Sequence, residues 1–213
     1  VRVIGEGGMG KVYEAVHEAI ERRVAIKVLH REFAGNDELT ARFFNEARAV
    51  NRIEHPGVVQ VSDYGQLPDH TAYIVMELLS GEPLSARLKR RGTILPEVAL
   101  CYSSQVAEAL VAAHEKGVVH RDLKPDNIML VADDTVGGGV RAKILDFGLA
   151  KLLHQAEPGD AESPEPAAGP ASPETAFPRS VKTRTGVLIG TPMYMSPEQC
   201  HGSGSPDDKS DVY

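Results

Sequence analysis

Apolar side chains at Leu39, Phe43, Ala47, Val50 and Ile53 recur at the spacing of one helix face, which predicts a helix over 39–53 with Asn36 or Asp37 as its N-terminal cap. Glu46 falls three residues after Phe43 and four before Val50, on the packed side, where a carboxylate needs a cation. Residues 24–29 (VAIKVL) and 72–76 (AYIVM) are short β-rich runs and predict strands. A long helix is predicted over 96–114, opening on Pro96 and stopping before Gly117. Two further strands, 128–131 and 140–145, flank the irregular stretch 133–139 (DDTVGGG), which reads as an extended turn. Val12, Ala15, Val16, Ala19 and Ile20 fit a helical stripe as well as a strand, and the pattern alone leaves that choice open. Strands crowd the first third of the chain, helices follow, and no internal repeat is visible.

Composition narrows the class. The 213 residues are 42% apolar and 25% charged, which suits one or two soluble globular domains. A chain of this length buries roughly 70% of its unfolded surface, so it needs neither disulfides nor a structural metal to hold a core. Cys101 and Cys200 are too far apart to match a metal-ligand spacing and argue for a reducing compartment, so a cytoplasmic location is expected. No apolar run nears the roughly 18 residues of a membrane span, and no charged-then-apolar leader opens the chain. Val1 begins mid-pattern without a Met, as in an excerpt, and a longer parent could carry a membrane anchor. With 23 Lys and Arg against 30 Asp and Glu, the balance of −7 disfavours a nucleic-acid binder and leaves anionic ligands dependent on local cations. Residues 155–180 hold six of the 14 prolines, five acids, one base and a single large apolar side chain, Phe177. Such a segment cannot bury enough apolar surface to offset its ordering entropy, and without it the formal charge would be −3.

Three groups of residues carry candidate chemistry. Gly5, Gly7, Gly8 and Gly10, followed by Val12, suit a phosphate cradle, because glycines let backbone N–H groups approach anionic oxygens. A dinucleotide-binding reading wants a helix after the glycines; Val24-Ala25-Ile26-Lys27 follows instead, with Lys27 standing 19 residues before the inward Glu46. Residues 120–127 (HRDLKPDN) set an acid, a base and an amide within eight positions after a helix, and Asp146-Phe147-Gly148 begins 19 residues after Asn127.

These motifs, with Ser196-Pro197-Glu198 after them, stand in the order seen in protein kinases. The chain resembles the eukaryotic-like Ser/Thr protein kinases, and residues 190–199 (GTPMYMSPEQ) are similar to the bacterial branch. The resemblance makes 12–16 a strand. It implies an α+β bilobal fold, with a β-rich small lobe and hinge over 1–79 and part of a helical large lobe over 80–213. ATP is then expected between the lobes under Gly5, Gly7, Gly8 and Gly10. Lys27, held by Glu46, would grip the α- and β-phosphates, and Asn127 and Asp146 would hold Mg²⁺ through oxygen ligands. Asp122 would orient the substrate hydroxyl and accept its proton, while Lys124 neutralises the moving phosphoryl group. Lys124 and Thr191 resemble the Ser/Thr rather than the Tyr specificity class. Val12, Ala25 and Met129 would sandwich adenine, with Met76 guarding the pocket and the Glu77 and Leu79 backbones offering hydrogen bonds. His120 and Phe147 resemble members of an apolar stack with Val50 and Val61. His17, His55 and His114 lack metal-like partners and read as ordinary histidines, and Asp126 as solvated.

The activation segment would run from Asp146 to Glu198, with 155–180 as an acidic Pro-rich insert. Thr183 and Thr185 occupy the place of activating phosphothreonines in related bacterial kinases, and a phosphate there would dock on Arg121. Glu198 pairs in the family with an Arg that has no counterpart here, so the expectation is an unpaired buried carboxylate and a chain that is marginal or inactive alone. Proteins bearing Ser or Thr are the implied substrates; the residues name neither the substrate nor an oligomeric state. Two alternatives stand beside the kinase reading: a pseudokinase scaffold that binds nucleotide or a partner without transfer, and an insert that recruits a partner on a kinase platform.

Overall fold

The computed structural model describes residues 1–147, 192–201 and 207–213. The β-rich first third forms an antiparallel sheet of five strands, β1 (Arg2–Gly7), β2 (Gly10–His17), β3 (Arg22–Leu29), β4 (Val61–Gln66) and β5 (Ala72–Glu77), in the order β1-β2-β3-β5-β4. The ambiguous stretch around Val12 is strand: β2 pairs with β3 along its whole length, from Gly10 opposite Leu29 to His17 opposite Arg22. A ladder with a partner on each side satisfies backbone donors that an isolated helical turn would leave at its ends.

Helix α1 (Asp37–Val50) lies against this sheet. Asn36 is the cap, its side-chain oxygen accepting the Leu39 N–H at 3.0 Å, and Asp37 and Glu38 sit in the first turn, where the helix dipole favours acids. The helix stops at Val50, so Ile53 reaches the core from the following turn. Leu39, Phe43 and Ala47 pack on Leu29, Ala72 and Ile74 of the sheet.

The chain then forms β6 (Gly81–Pro83), α2 (Leu84–Arg91), α3 (Pro96–Glu115), β7 (Ile128–Ala132) and β8 (Val140–Ile144), with a second sheet ordered β6-β7-β8. The pattern did not yield α2, a two-turn helix with no fully buried residue, whose half-buried Leu84 packs against the core and Leu88 lies one turn on. Helix α3 buries Tyr102, Val106, Ala109, Leu110 and Ala113 in one core with Ile128, Leu130, Ala142 and Ile144 of the second sheet. In the 133–139 turn, Asp133 accepts hydrogen bonds from Thr135 and Arg141, which hold its carboxyl down to about 2. A short helix α4 (Pro197–His201) and a 3-10 turn at Asp208–Asp211 follow.

Two strands of contact tie the first sheet to the second. Ile144 donates its N–H to Gly57 O at 2.8 Å and accepts the Val59 N–H at 3.1 Å. Lys143 Nζ donates to Glu77 Oε1 at 2.6 Å, and the same oxygen accepts the Gln60 N–H at 2.9 Å. Strand β8 therefore leads straight from this junction into Leu145 and Asp146.

Candidate active site

The loop after α3 is held by buried polar groups. His120 is fully buried. Its Nδ1 accepts the Asp122 N–H at 3.2 Å, so the ring proton sits on Nε2, which donates to Leu145 O at 2.8 Å. Burial pushes the His120 pKa below its ordinary value, which keeps the ring neutral. The ring packs on Phe147 with centroids 4.8 Å apart, and Phe147 belongs to the core that contains Val50 and against which Val61 packs.

Arg121 has φ +69°, a left-handed conformation that non-glycine residues rarely adopt. Asp211 stabilises it: Oδ1 accepts the Arg121 N–H at 2.7 Å, while Oδ2 accepts the His120 N–H at 2.8 Å and contacts His114 Nε2 at 2.8 Å. Sequence reasoning missed Asp211 and left His114 an ordinary histidine. The signal was faint, since an acid 90 positions downstream of Arg121 shows its partner only in three dimensions.

Asp122 stands at the centre of the polar cluster. Its Oδ2 accepts Lys124 Nζ at 2.7 Å and Asn127 Nδ2 at 3.2 Å, and Asn127 Nδ2 also donates to the Asp122 carbonyl at 2.8 Å. Leu145 N–H donates to Asn127 O at 2.8 Å, which fastens this loop to the residue before Asp146. Asp146, with φ +54°, accepts Lys27 Nζ on Oδ1 at 2.7 Å. The Lys27 side chain is 10% exposed and that of Asp146 38%, so one end of the pair is buried and the other open. Glu46 lines the same small cavity as Lys27, Asp146, Met76 and Phe147. Lys27 thus makes its ion pair with Asp146 while Glu46 stands beside it in the wall.

The glycines divide by role. A Cβ on Gly10 would lie 2.1 Å from Val28 O, so this glycine is demanded by the close approach of β2 to β3. A Cβ on Gly7 or Gly8 would meet nothing within 4 Å, and one on Gly5 would touch only Val12, at 3.7 Å. Val12 faces Lys27 across the β2–β3 ladder, and Ala25 faces Met76 across β3 and β5. Met129 pairs with Pro83 on one side and Lys143 on the other. The Glu77 N–H is already engaged by Gln60 O at 3.0 Å, so it is not open to a ligand. Leu79 lies half-buried just beyond β5. A larger cavity, about 840 Å³, opens between Tyr13, Ile26, Val28 and Tyr73 of the first sheet and includes none of the glycines, Lys27, Glu46 or Asp146.

Among the described residues no group of three or more His, Cys, Asp or Glu is placed to hold a metal by itself. Asn127 and Asp146 do suit a hard cation that brings phosphate oxygens with it. Asn127 Nδ2 is committed to Asp122, which leaves its amide oxygen, and Asp146 has a second carboxylate oxygen beyond the one on Lys27. Glu198 is half-buried rather than buried, and it accepts the Ser210 hydroxyl, which lowers its pKa; the expected unpaired buried carboxylate is not what the structure holds. Gly148, the insert 155–180, Thr183, Thr185 and Thr191 lie outside the described residues.

A glycine-rich β1–β2 hairpin, a lysine–aspartate pair joining β3 to the segment after β8, and a His–Arg–Asp loop anchored on the fully buried His120 define an α+β protein of the protein-kinase fold. The chain belongs to the protein kinase domain family, which it matches over residues 1–213. It is 44% identical over 214 residues to the serine/threonine-protein kinase Pkn1 of Myxococcus xanthus, a match covering 100% of this chain and 27% of Pkn1. To the serine/threonine-protein kinase PknA of Mycobacterium tuberculosis it is 42% identical over 216 residues, covering 100% of this chain and 43% of PknA. The chain therefore spans less than half the length of these relatives. The crystal structure of the Mycobacterium tuberculosis PknI kinase domain superposes with a TM-score of 0.63 at 27% identity, over 99% of this chain and 67% of that one. Among the described residues no helix is long and apolar enough to cross a membrane.

Proposed function

We propose that this chain is the catalytic part of a Mg-ATP-dependent protein kinase that phosphorylates Ser and Thr hydroxyls of other proteins. The observation that carries the reading is one connected polar network: Lys27 to Asp146, Leu145 to Asn127, Asn127 to Asp122 and Asp122 to Lys124. Phosphoryl transfer asks a protein mainly to position groups and balance charge, and this network gathers the groups that do so.

In this reading the glycine hairpin covers the triphosphate, where Gly7 and Gly8 leave room for a close approach. Lys27 grips the α- and β-phosphates, with Asp146 and Glu46 as its neighbouring acids. Val12, Ala25, Met76 and Met129 enclose the adenine, and the chain from Glu77 to Leu79 forms the hinge between lobes at 1–79 and 80–213. Mg²⁺, when bound by Asn127 and Asp146, neutralises charge on the phosphate oxygens. Asp122 orients the substrate hydroxyl and takes its proton as that oxygen bonds to the γ-phosphorus and the bond to ADP breaks. Lys124, already on Asp122, balances charge at the moving group and favours the aliphatic hydroxyls of Ser and Thr.

Regulation follows the same chemistry: phosphate on Thr183 or Thr185 docks on Arg121, whose Nε is buried and has no hydrogen-bond partner among the described residues. Free Cys101 and Cys200 support a reducing, cytoplasmic setting. The pseudokinase reading is disfavoured because Lys27, Glu46, Asp122, Asn127 and Asp146 are all present in the sequence. The test is label transfer from ATP to a Ser/Thr peptide by the full-length protein. Asp122→Asn should lower kcat by about 10²- to 10⁴-fold with ATP affinity largely kept; equal transfer by both proteins would overturn the reading.

A further inference from the structure

Arg121 and Asp122 are joined by one peptide group whose two polar ends are both held by side chains. Its N–H, on Asp122, donates to His120 Nδ1 at 3.2 Å, and its carbonyl, on Arg121, accepts Gln199 Nε2 at 2.7 Å. We propose that Gln199 is a positioning residue for Asp122, acting by clamping the plane of that peptide; this rests on the kinase reading above.

The left-handed φ of Arg121 is the reason a clamp matters. A non-glycine residue in that conformation relaxes when its surroundings allow it, and relaxation would rotate the peptide and swing the Asp122 carboxylate. The Arg121 N–H is fixed by Asp211, but that bond lies on the preceding peptide group and leaves the Arg121 carbonyl to be held separately. Gln199 is itself locked. Its Oε1 accepts both the Ser196 N–H at 3.0 Å and the Ser196 hydroxyl at 3.2 Å, which sets the amide so that Nε2 faces Arg121. Ser196 is 1% exposed, and the next residue along α4 from Pro197, Glu198, accepts the Ser210 hydroxyl from the turn that carries Asp211. The stretch 196–199 and the turn at Asp208–Asp211 thus hold the same loop on successive peptide groups. A substrate-side segment that docks correctly completes the geometry of Asp122; one that does not leaves the carbonyl unheld.

Gln199→Glu tests this with a near-isosteric change: the carboxylate still accepts from Ser196 but turns an acceptor towards the Arg121 carbonyl. Gln199→Met keeps the length and removes both functions. In the full-length protein, both variants should lower kcat for peptide phosphorylation on the order of 10- to 100-fold, as small misplacements of a catalytic group do. KM for ATP should stay within about twofold, because Lys27 and the glycine hairpin do not depend on this contact, and the thermal midpoint should stay within a few degrees. Wild-type kcat in both variants would overturn the proposal, as would a loss of kcat matched by a parallel rise in KM for ATP and a falling midpoint. Asp122→Asn assayed alongside separates this from the kinase reading: equal transfer there defeats the reading itself, whereas an inactive Asp122→Asn beside fully active Gln199 variants defeats only the clamp.

Discussion

His120 shows how much one buried side chain can decide. It is neutral because burial opposes its charge, and neutrality is what lets Nδ1 accept from Asp122 while Nε2 donates to Leu145. Its folded pKa lies below its unfolded value of about 6.5. Above that pH the ring is neutral in both states and contributes no pH dependence. Below it the unfolded chain binds a proton that the native ring resists, so stability falls with pH until the folded pKa is reached. We expect the thermal midpoint to drop as pH falls below about 6.5. In His120→Gln, which can still donate and accept, the slope of midpoint against pH should be shallower; an unchanged slope would show that the ring is not the titrating group. The carboxylates held down by Arg and hydroxyl partners, Asp133 at about 2 among them, act separately. Their contribution is present above about pH 4 and lost as pH falls through the folded value. Asp122, Lys124, Asn127 and Asp146 were legible as residues because they are close in sequence to a recognisable motif. Asp211 and Gln199 were not, because each acts on backbone groups about 80 or 90 positions away and backbone groups have no sequence signature.

At the scale of elements, periodicity read well where one face is fully buried and poorly where burial is partial and the element short. Helices α1 and α3 and strands β3, β5, β7 and β8 all bury a face, and all were predicted within a few residues. Helix α2 has no fully buried residue, only the half-buried Leu84 against the core and Leu88 a turn later, and is too short for that stripe to stand out. Strand β2 sat between, its apolar positions compatible with two periods until pairing with β3 chose one. The glycine hairpin joining β1 and β2 gives an element-scale prediction. Gly10→Ala forces a Cβ against Val28 O and should cost about 1–3 kcal/mol, read by urea denaturation. Gly7→Ala meets open space and should leave stability within about 0.5 kcal/mol, with its effect confined to KM for ATP. The reverse order of stabilities would show that the β2–β3 approach does not set the glycine requirement.

Across the whole molecule, the site is assembled from segments that begin far apart. The Lys143–Glu77 pair and the Ile144 hydrogen bonds to residues 57–59 bring β8, and with it Asp146, to the sheet that bears Lys27. The Asp211 bonds and the Gln199 bond bring the last described residues onto the loop of Asp122. Arg121 is at that crossing with a buried Nε that has no hydrogen-bond partner among the described residues, a position from which a docked phosphate would feel two fixed segments at once. Phosphopeptide mapping after incubation with ATP should therefore find Thr183 or Thr185 modified, and Arg121→Gln should remove the activation that follows. Neither threonine modified, or full activation in Arg121→Gln, would refute the docking.

The amino-acid order alone determined the family, the strand-then-helix layout and the choice of Lys27, Asp122, Asn127 and Asp146 as candidate site residues, since local spacing and residue chemistry are written into it. Only the tertiary structure decided that Lys27 makes its ion pair with Asp146, that the close approach of β3 demands a glycine at Gly10, that Glu198 bonds to Ser210, and that Asp211 and Gln199 hold the loop of Asp122. The physical reason is common to all of them. Hydrogen bonds and ion pairs act over about 3 Å, and which atoms come that close is settled by packing rather than by position along the chain.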